Sequence, residues 1–266
     1  MPFPETERVI YQVNPLDEVI CQLRFPPILK IDAEPPAAFQ ERIRADYPEY
    51  EVKSPVKLPN GIPPAIAQLV SAELLFGSAR NHEFRSKDQN WTITLTRDFL
   101  ALTCKKYERW EAFRERLKAA FDALTAEYRP GYFLRLGLRY RDVIQPSKVG
   151  LVGESWSDLI RPEICGIAGH RDTIDDIISM QNQAVVRLPN DIGSVLVNTY
   201  LTIEERANES VFVIDSDFFT DAQTENDHVF PKLDAFKLQA THFFRWCITD
   251  RLHAAFQPLP VEARST

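Results

Sequence analysis

The chain has 266 residues, 44% of them hydrophobic and 26% charged, with a formal charge of −7; this excludes the disordered, collagen-like and membrane-spanning classes. The acidic balance opposes non-specific attraction to nucleic acid or anionic lipid. No apolar run approaches the ~20 residues of a membrane helix.

At this length roughly 70–75% of the unfolded surface is buried on folding, near the size at which one core becomes two. The 17 Phe, 8 Tyr and 4 Trp fill such a core without a metal or disulfide staple. Cys21, Cys104, Cys165 and Cys247 form no C-x-x-C pair and read as reduced structural thiols. Met1, Pro2, Phe3, Pro4 and Glu5 lack the basic and apolar regions of a signal peptide, so a cytoplasmic location is expected.

Residues 1–17 read as an irregular lead-in. Val19, Cys21, Leu23 and Phe25 then alternate with polar residues, the period of a half-buried strand ended by Pro26 and Pro27. A short helix begins near Pro36 and carries Phe39 and Ile43 one turn apart; Pro48 stops it. The segment from Glu51 to Pro64 holds four prolines and Asn60-Gly61, which predicts a surface loop. Strands are predicted over Ile66 to Phe76, Trp91 to Arg97 and Phe99 to Lys105, the last two joined tightly at Arg97 and Asp98.

A long helix is predicted from about Glu108 to Glu127, where Trp110, Phe113, Leu117, Phe121 and Leu124 recur every three or four residues. Beyond Pro130-Gly131 the order repeats. A strand runs from Phe133 to Ile144, a short helix lies around Trp156 to Ile160, strands fall near Ile177–Leu188, Gly193–Ile203 and Val211–Phe218, and a helix from about Lys232 to Phe256 closes the chain.

Strand, short helix, three strands and long helix therefore occur twice. Leu23-Arg24-Phe25 has a counterpart 115 residues later in Leu138-Arg139-Tyr140, and Phe39-x-x-x-Ile43 has one 117 residues later in Trp156-x-x-x-Ile160. The expected architecture is α+β: an internally duplicated, pseudo-twofold unit with halves 1–130 and 131–266, a largely antiparallel continuous sheet, and helices on one face.

Three stretches resemble a sporadically distributed, functionally uncharacterised family of bacterial proteins. They are Asn14-Pro15-Leu16 with Glu18-Val19 and Arg24-Phe25; Tyr107, Trp110 and Phe113; and Arg135-x-Gly137-Leu138-Arg139-Tyr140 leading to Ile144. The likeness covers most of the chain and departs at Asp142, where the family more often has Asn. It implies no activity and no catalytic residues; the family's patchy distribution implies mobile or defence-associated genes, such as an accessory component of a defence or toxin–antitoxin type system.

Motifs for chemistry are missing from the sequence. The nine glycines include no G-x-G and no Gly-Lys-Ser/Thr, so phosphate-cradle fingerprints are absent and no cofactor is expected. His170-Arg171-Asp172 is kinase-like only as a tripeptide, because Ile177 stands where the metal-binding Asn belongs. No two of the five histidines have the i, i+4 spacing of a shared metal; His242 and His253 read as hydrogen-bonded or solvated helix residues. Asp215 and Asp217 share a strand face and are the weak metal candidates, against the simpler reading that they end the strand and face water.

The main candidate site is a set of arginines. If Leu134, Leu136, Leu138 and Tyr140 pack against helices, Arg135, Arg139 and Arg141 point the other way with Gly137, and Arg24 joins them through the repeat. They form either a binding face for an anionic ligand or partner or a salt-bridge ladder with Glu18, Glu73, Asp142 or Asp215. Gly137 in mid-strand inclines toward close approach or a bulge.

These features point to a non-enzymatic binding or assembly protein with a protein partner or a second copy. The alternatives are a receptor for a small anionic ligand held between sheet and long helix, and a nucleic-acid-binding saddle, which the acidic balance disfavours.

Overall fold

A computed structural model describes residues 2–53, 80–170, 172–177, 179–204 and 207–261. Nine strands form one antiparallel sheet: β2 (Leu16–Arg24), β3 (Glu49–Lys53), β4 (Asn81–Arg85), β5 (Trp91–Leu95), β6 (Phe99–Cys104), β7 (Arg135–Ile144), β8 (Met180–Arg187), β9 (Ser194–Glu204) and β10 (Glu209–Thr220). Their spatial order is β3-β4-β5-β6-β2-β7-β10-β9-β8. The fold is α+β, as the alternating strands and periodic helices predict.

The two sides of the central β2/β7 pair are unequal, four strands (β6-β5-β4-β3) flanking β2 and three (β10-β9-β8) flanking β7, where three in each half were expected. After each central strand come short helices, then strands that pair antiparallel with their neighbours, then a long helix. The short helices are α1 (Lys30–Ala33) and α2 (Ala37–Ile43) in one half, and α4 (Trp156–Leu159) and α5 (Pro162–Cys165) in the other. The long ones are α3 (Trp110–Tyr128) and α6 (Val229–Cys247). Gln22 pairs with Gly137, residues separated by the same 115 positions that relate Arg24 to Arg139.

Period-two alternation fixes the faces. Leu136, Leu138, Tyr140 and Ile144 of β7, with Val19, Cys21 and Leu23 of β2 and Phe212, Ile214 and Phe218 of β10, enter the core beneath the helices. Each large side chain buried there contributes roughly 1.5–3 kcal/mol of transfer free energy. Helix α3 buries Trp110, Phe113, Leu117, Phe121 and Leu124, the predicted stripe, and ends where Arg129 takes a left-handed conformation (φ 48°) before Pro130.

Several expectations need correction. Leu134 is 45% exposed, because β7 begins one residue later and Phe133 takes the buried place. Residues 1–17 are not wholly irregular: β1 (Val9–Tyr11) pairs with β11 (Pro258–Pro260), and β2 starts at Leu16. The last helix is broken. Ile248 is extended, the Thr249 side chain accepts a hydrogen bond from the Leu252 amide, and α7 (Asp250–Ala255) starts anew.

Part of the predicted Glu51–Pro64 loop is strand, since Glu51 to Lys53 belong to β3. The rest of it, the predicted strand at 66–76 and Glu73 lie outside the described residues. All four cysteines are free and buried.

Candidate functional site

The arginine face is a ladder of ion pairs. Arg139 grips Asp215 with two nearly parallel bonds, Nε donating to Oδ1 at 2.7 Å and Nη2 to Oδ2 at 2.5 Å. Arg135 donates to Asp217 at 2.7 Å, Arg141 pairs with Asp17, and Arg24 lies 3.7 Å from Asp98. Asp215 and Asp217 do share a face, but in mid-strand, where each carboxylate is engaged by an arginine. Among the described residues no cluster of three or more His, Cys, Asp or Glu side chains is arranged to hold a metal ion.

Gly137 serves the same ladder. A Cβ at this position would lie 2.5 Å from Nη1 of Arg135 and 3.3 Å from Oδ1 of Asp217. The vacant side-chain space is filled by the Arg135 guanidinium folding across to its partner. Asp142, named among the ladder's carboxylates, follows the even residues of β7 to the opposite, helix-bearing face.

On that helix-bearing face the structure builds a second constellation, a cavity of about 130 Å³ between the middle of the sheet, α3, α6 and the N-terminal segment. Residues 7–11 and 14 line it, within a strap of residues 3–14 that is fastened along its length. Phe3 packs edge-on against Phe243 at 5.0 Å, and the Thr6 amide donates to Nδ1 of His242 at 3.1 Å. Arg8 makes a two-pronged pair with Glu111 at 2.7 and 2.8 Å. The Tyr11 hydroxyl bonds His253 at 2.9 Å, and Asn14 donates to the Tyr107 carbonyl at 2.7 Å.

The His242 contact fixes a protonation state. A backbone N–H can only donate, so Nδ1 must keep its lone pair, and burial lowers the His242 pKa in the same sense. This anchor is therefore intact above the ordinary histidine range and is lost as pH falls through and below it.

The floor of the cavity comes from the sheet, at Tyr140, Asp142 and Ser216. Asp142 is only 4% exposed, and burial, with the like charge of Asp215, holds its pKa well above the carboxylate range. No ion pair or hydrogen bond engages its carboxyl group among the described residues, and burial favours its neutral, protonated form. Tyr140 is 7% exposed, and its hydroxyl meets no partner in strict hydrogen-bond geometry, the Tyr107 phenol being the side chain near enough to hydrogen-bond it. The Tyr107 phenol, whose ring meets that of Tyr140 at 6.0 Å and 88°, bears on its ionisation.

One face of α6 forms the wall: Lys237, Ala240, Thr241, Phe244 and Arg245, spaced i, i+3, i+4, i+7, i+8. Burial, and secondarily the neighbouring Arg8 guanidinium, depress the Lys237 ammonium to about 8. The adjacent carboxylates are already engaged. Glu111 is gripped by Arg8, which holds its pKa at about 2; Asp234 accepts from the Trp110 indole at 2.7 Å and from Arg114 at 3.0 Å.

No protein-family model matches this chain, and no curated protein is similar to it in sequence. Asn14, Pro15 and Leu16, Tyr107 and Trp110, and Tyr140 meet at this cavity.

Periodicity assigned Tyr140 to the core and left Lys237, Arg8 and Asp142 outside any site. The only available signal for Asp142 was its phase: an acidic residue at an even position of β7 is a carboxyl directed into an apolar interior.

Proposed function

We propose that the protein is a small-molecule binding protein whose ligand occupies the cavity beneath the N-terminal strap. The observation that carries this reading is the meeting, in one partly apolar cavity, of the deeply buried Asp142 carboxyl, which no ion pair or hydrogen bond engages among the described residues, with the Lys237 ammonium, which has no carboxylate within ion-pair distance there. Buried polar groups are ordinarily satisfied, and an exception calls for a binding role or an ordered water.

A ligand-observed NMR screen of small polar fragments tests the reading. Hits are expected on the wild type and are expected to disappear in Ala240→Trp, whose indole fills the space beside Lys237. Hits that survive in a folded Ala240→Trp protein would remove the cavity as the site.

Assembly with a second copy is favoured by a separate observation. Among the described residues β8 pairs only with β9, and its segment Gln181 to Val185 is exposed on both faces, Val185 by 63%. The strand has no proline, and its one charge is the terminal Arg187, so it lacks the usual protection of a sheet edge. Light scattering is expected to report a dimer that Val185→Lys converts to a monomer. A wild-type monomer at all concentrations would remove this second reading.

A further inference from the structure

Resting on the cavity reading above, we propose that the ligand is a small monocarboxylate with an apolar body, its carboxylate ion-paired to Lys237 and its free oxygen hydrogen-bonded by the Tyr140 hydroxyl or the Asp142 carboxyl. Glu7, Glu108 and Arg109 line the cavity too but are exposed to solvent, while Arg8 is committed to Glu111 and Arg245 to Asp250.

Lys237 has no carboxylate within ion-pair distance among the described residues. The two acids near enough to influence it, Glu111 and Asp234, are held by Arg8 and by Trp110 with Arg114. A cation placed in a largely desolvated wall and left without a counter-ion is a cost to the empty protein that an anionic ligand would remove.

The floor has the matching chemistry. Burial favours the protonated form of Asp142, which no partner engages among the described residues and which can donate one hydrogen bond, and the Tyr140 hydroxyl beside Tyr107 can donate another. A cation at the wall and neutral donors on the floor complement a carboxylate, and they oppose an amine. The body of the ligand would lie against Leu16, Trp110 and Phe244. At about 130 Å³ the space is comparable with cavities that accept a benzene-sized molecule, so one ring or a short branched chain fits.

Isothermal titration of the full chain with benzoate, benzamide and benzylamine reads the proposal directly, since the three probes share a body and differ in the head group. Benzoate is expected to bind about tenfold or more tighter than benzamide, the scale of a charge-assisted contact, and benzylamine weakest. In Lys237→Met the preference for benzoate is expected to fall to within about twofold, with benzamide affinity retained as evidence of an intact site.

Benzamide or benzylamine binding as tightly as benzoate, or an acid preference that survives Lys237→Met, would overturn the assignment of ligand class while leaving the cavity reading in place. If none of the probes binds but other fragments lose binding in Ala240→Trp, the class again falls alone. If no fragment of any kind occupies the cavity, both fall.

Discussion

Asp215→Ala is expected to destabilise the protein by about 3–5 kcal/mol, because it strands the Arg139 charge inside the sheet without a partner. Arg139 and Asp215 have side-chain exposures of only 22% and 9%, so water can replace little of what the carboxylate supplies. Burial alone would lower the Arg139 pKa, yet the hydrogen bond and charge of Asp215 raise it above its ordinary value; the pair is therefore held together against a desolvation cost.

The prediction separates the cost of breaking the pair from the worth of having it. Arg139→Met combined with Asp215→Leu is expected to recover most of the loss, since paired apolar replacements remove both charges. Urea denaturation of the two single variants and the double variant measures this. Single losses under about 1 kcal/mol would mean that the ladder is no more than a solvated surface feature.

Asp142→Asn is expected to act in the opposite direction, stabilising the protein at pH 7. The Asp142 pKa is raised in the folded state by burial and by Asp215, so folding at neutral pH requires the carboxyl to take up a proton that the unfolded chain does not hold. The wild type is thus relatively most stable near and below the unfolded carboxyl pKa of about 4, and loses stability as pH rises from there toward the folded value. The gain from Asn, which needs no proton, should be near zero at pH 4 and increase with pH. Thermal unfolding of both proteins across pH 4–8 reads this difference, and a gain independent of pH would show that Asp142 does not titrate as described.

How far the sequence carried these conclusions depended on whether the determining contact was local. Trp110, Phe113 and Leu117 announce α3 because a helix face needs only its own spacing, and the alternation at Trp91–Leu95 announces β5 in the same way. Strand β11 was invisible because Pro258 and Pro260 read as breakers, although an isolated two-strand pair tolerates prolines that a central strand does not. The break after Cys247 was hidden by Leu252, whose apolar phase continues the stripe past the real interruption at Ile248.

The arginines show the same limit from another side. Period two correctly placed Arg135, Arg139 and Arg141 on one face, but their partners depend on β10 lying beside β7 with Asp217 in register with Arg139 and Asp215 with Arg141. That register is a property of the assembled sheet. Asp142, considered as a partner, is excluded by the alternation itself. The cavity was still less legible, since Arg8, Tyr107, Asp142 and Lys237 come from four distant segments, and what distinguishes Lys237 is that its neighbours' carboxylates are occupied by others.

The central claim, that ligand binding resides under the strap rather than on the arginine face, is tested most directly by soaking crystals of the full chain with a small-fragment library. The account predicts fragment density between Lys237, Tyr140 and Asp142, with anionic fragments prevailing. Fragments gathering instead beside Arg24, Arg135 and Arg139, with the space under the strap empty throughout, would contradict it.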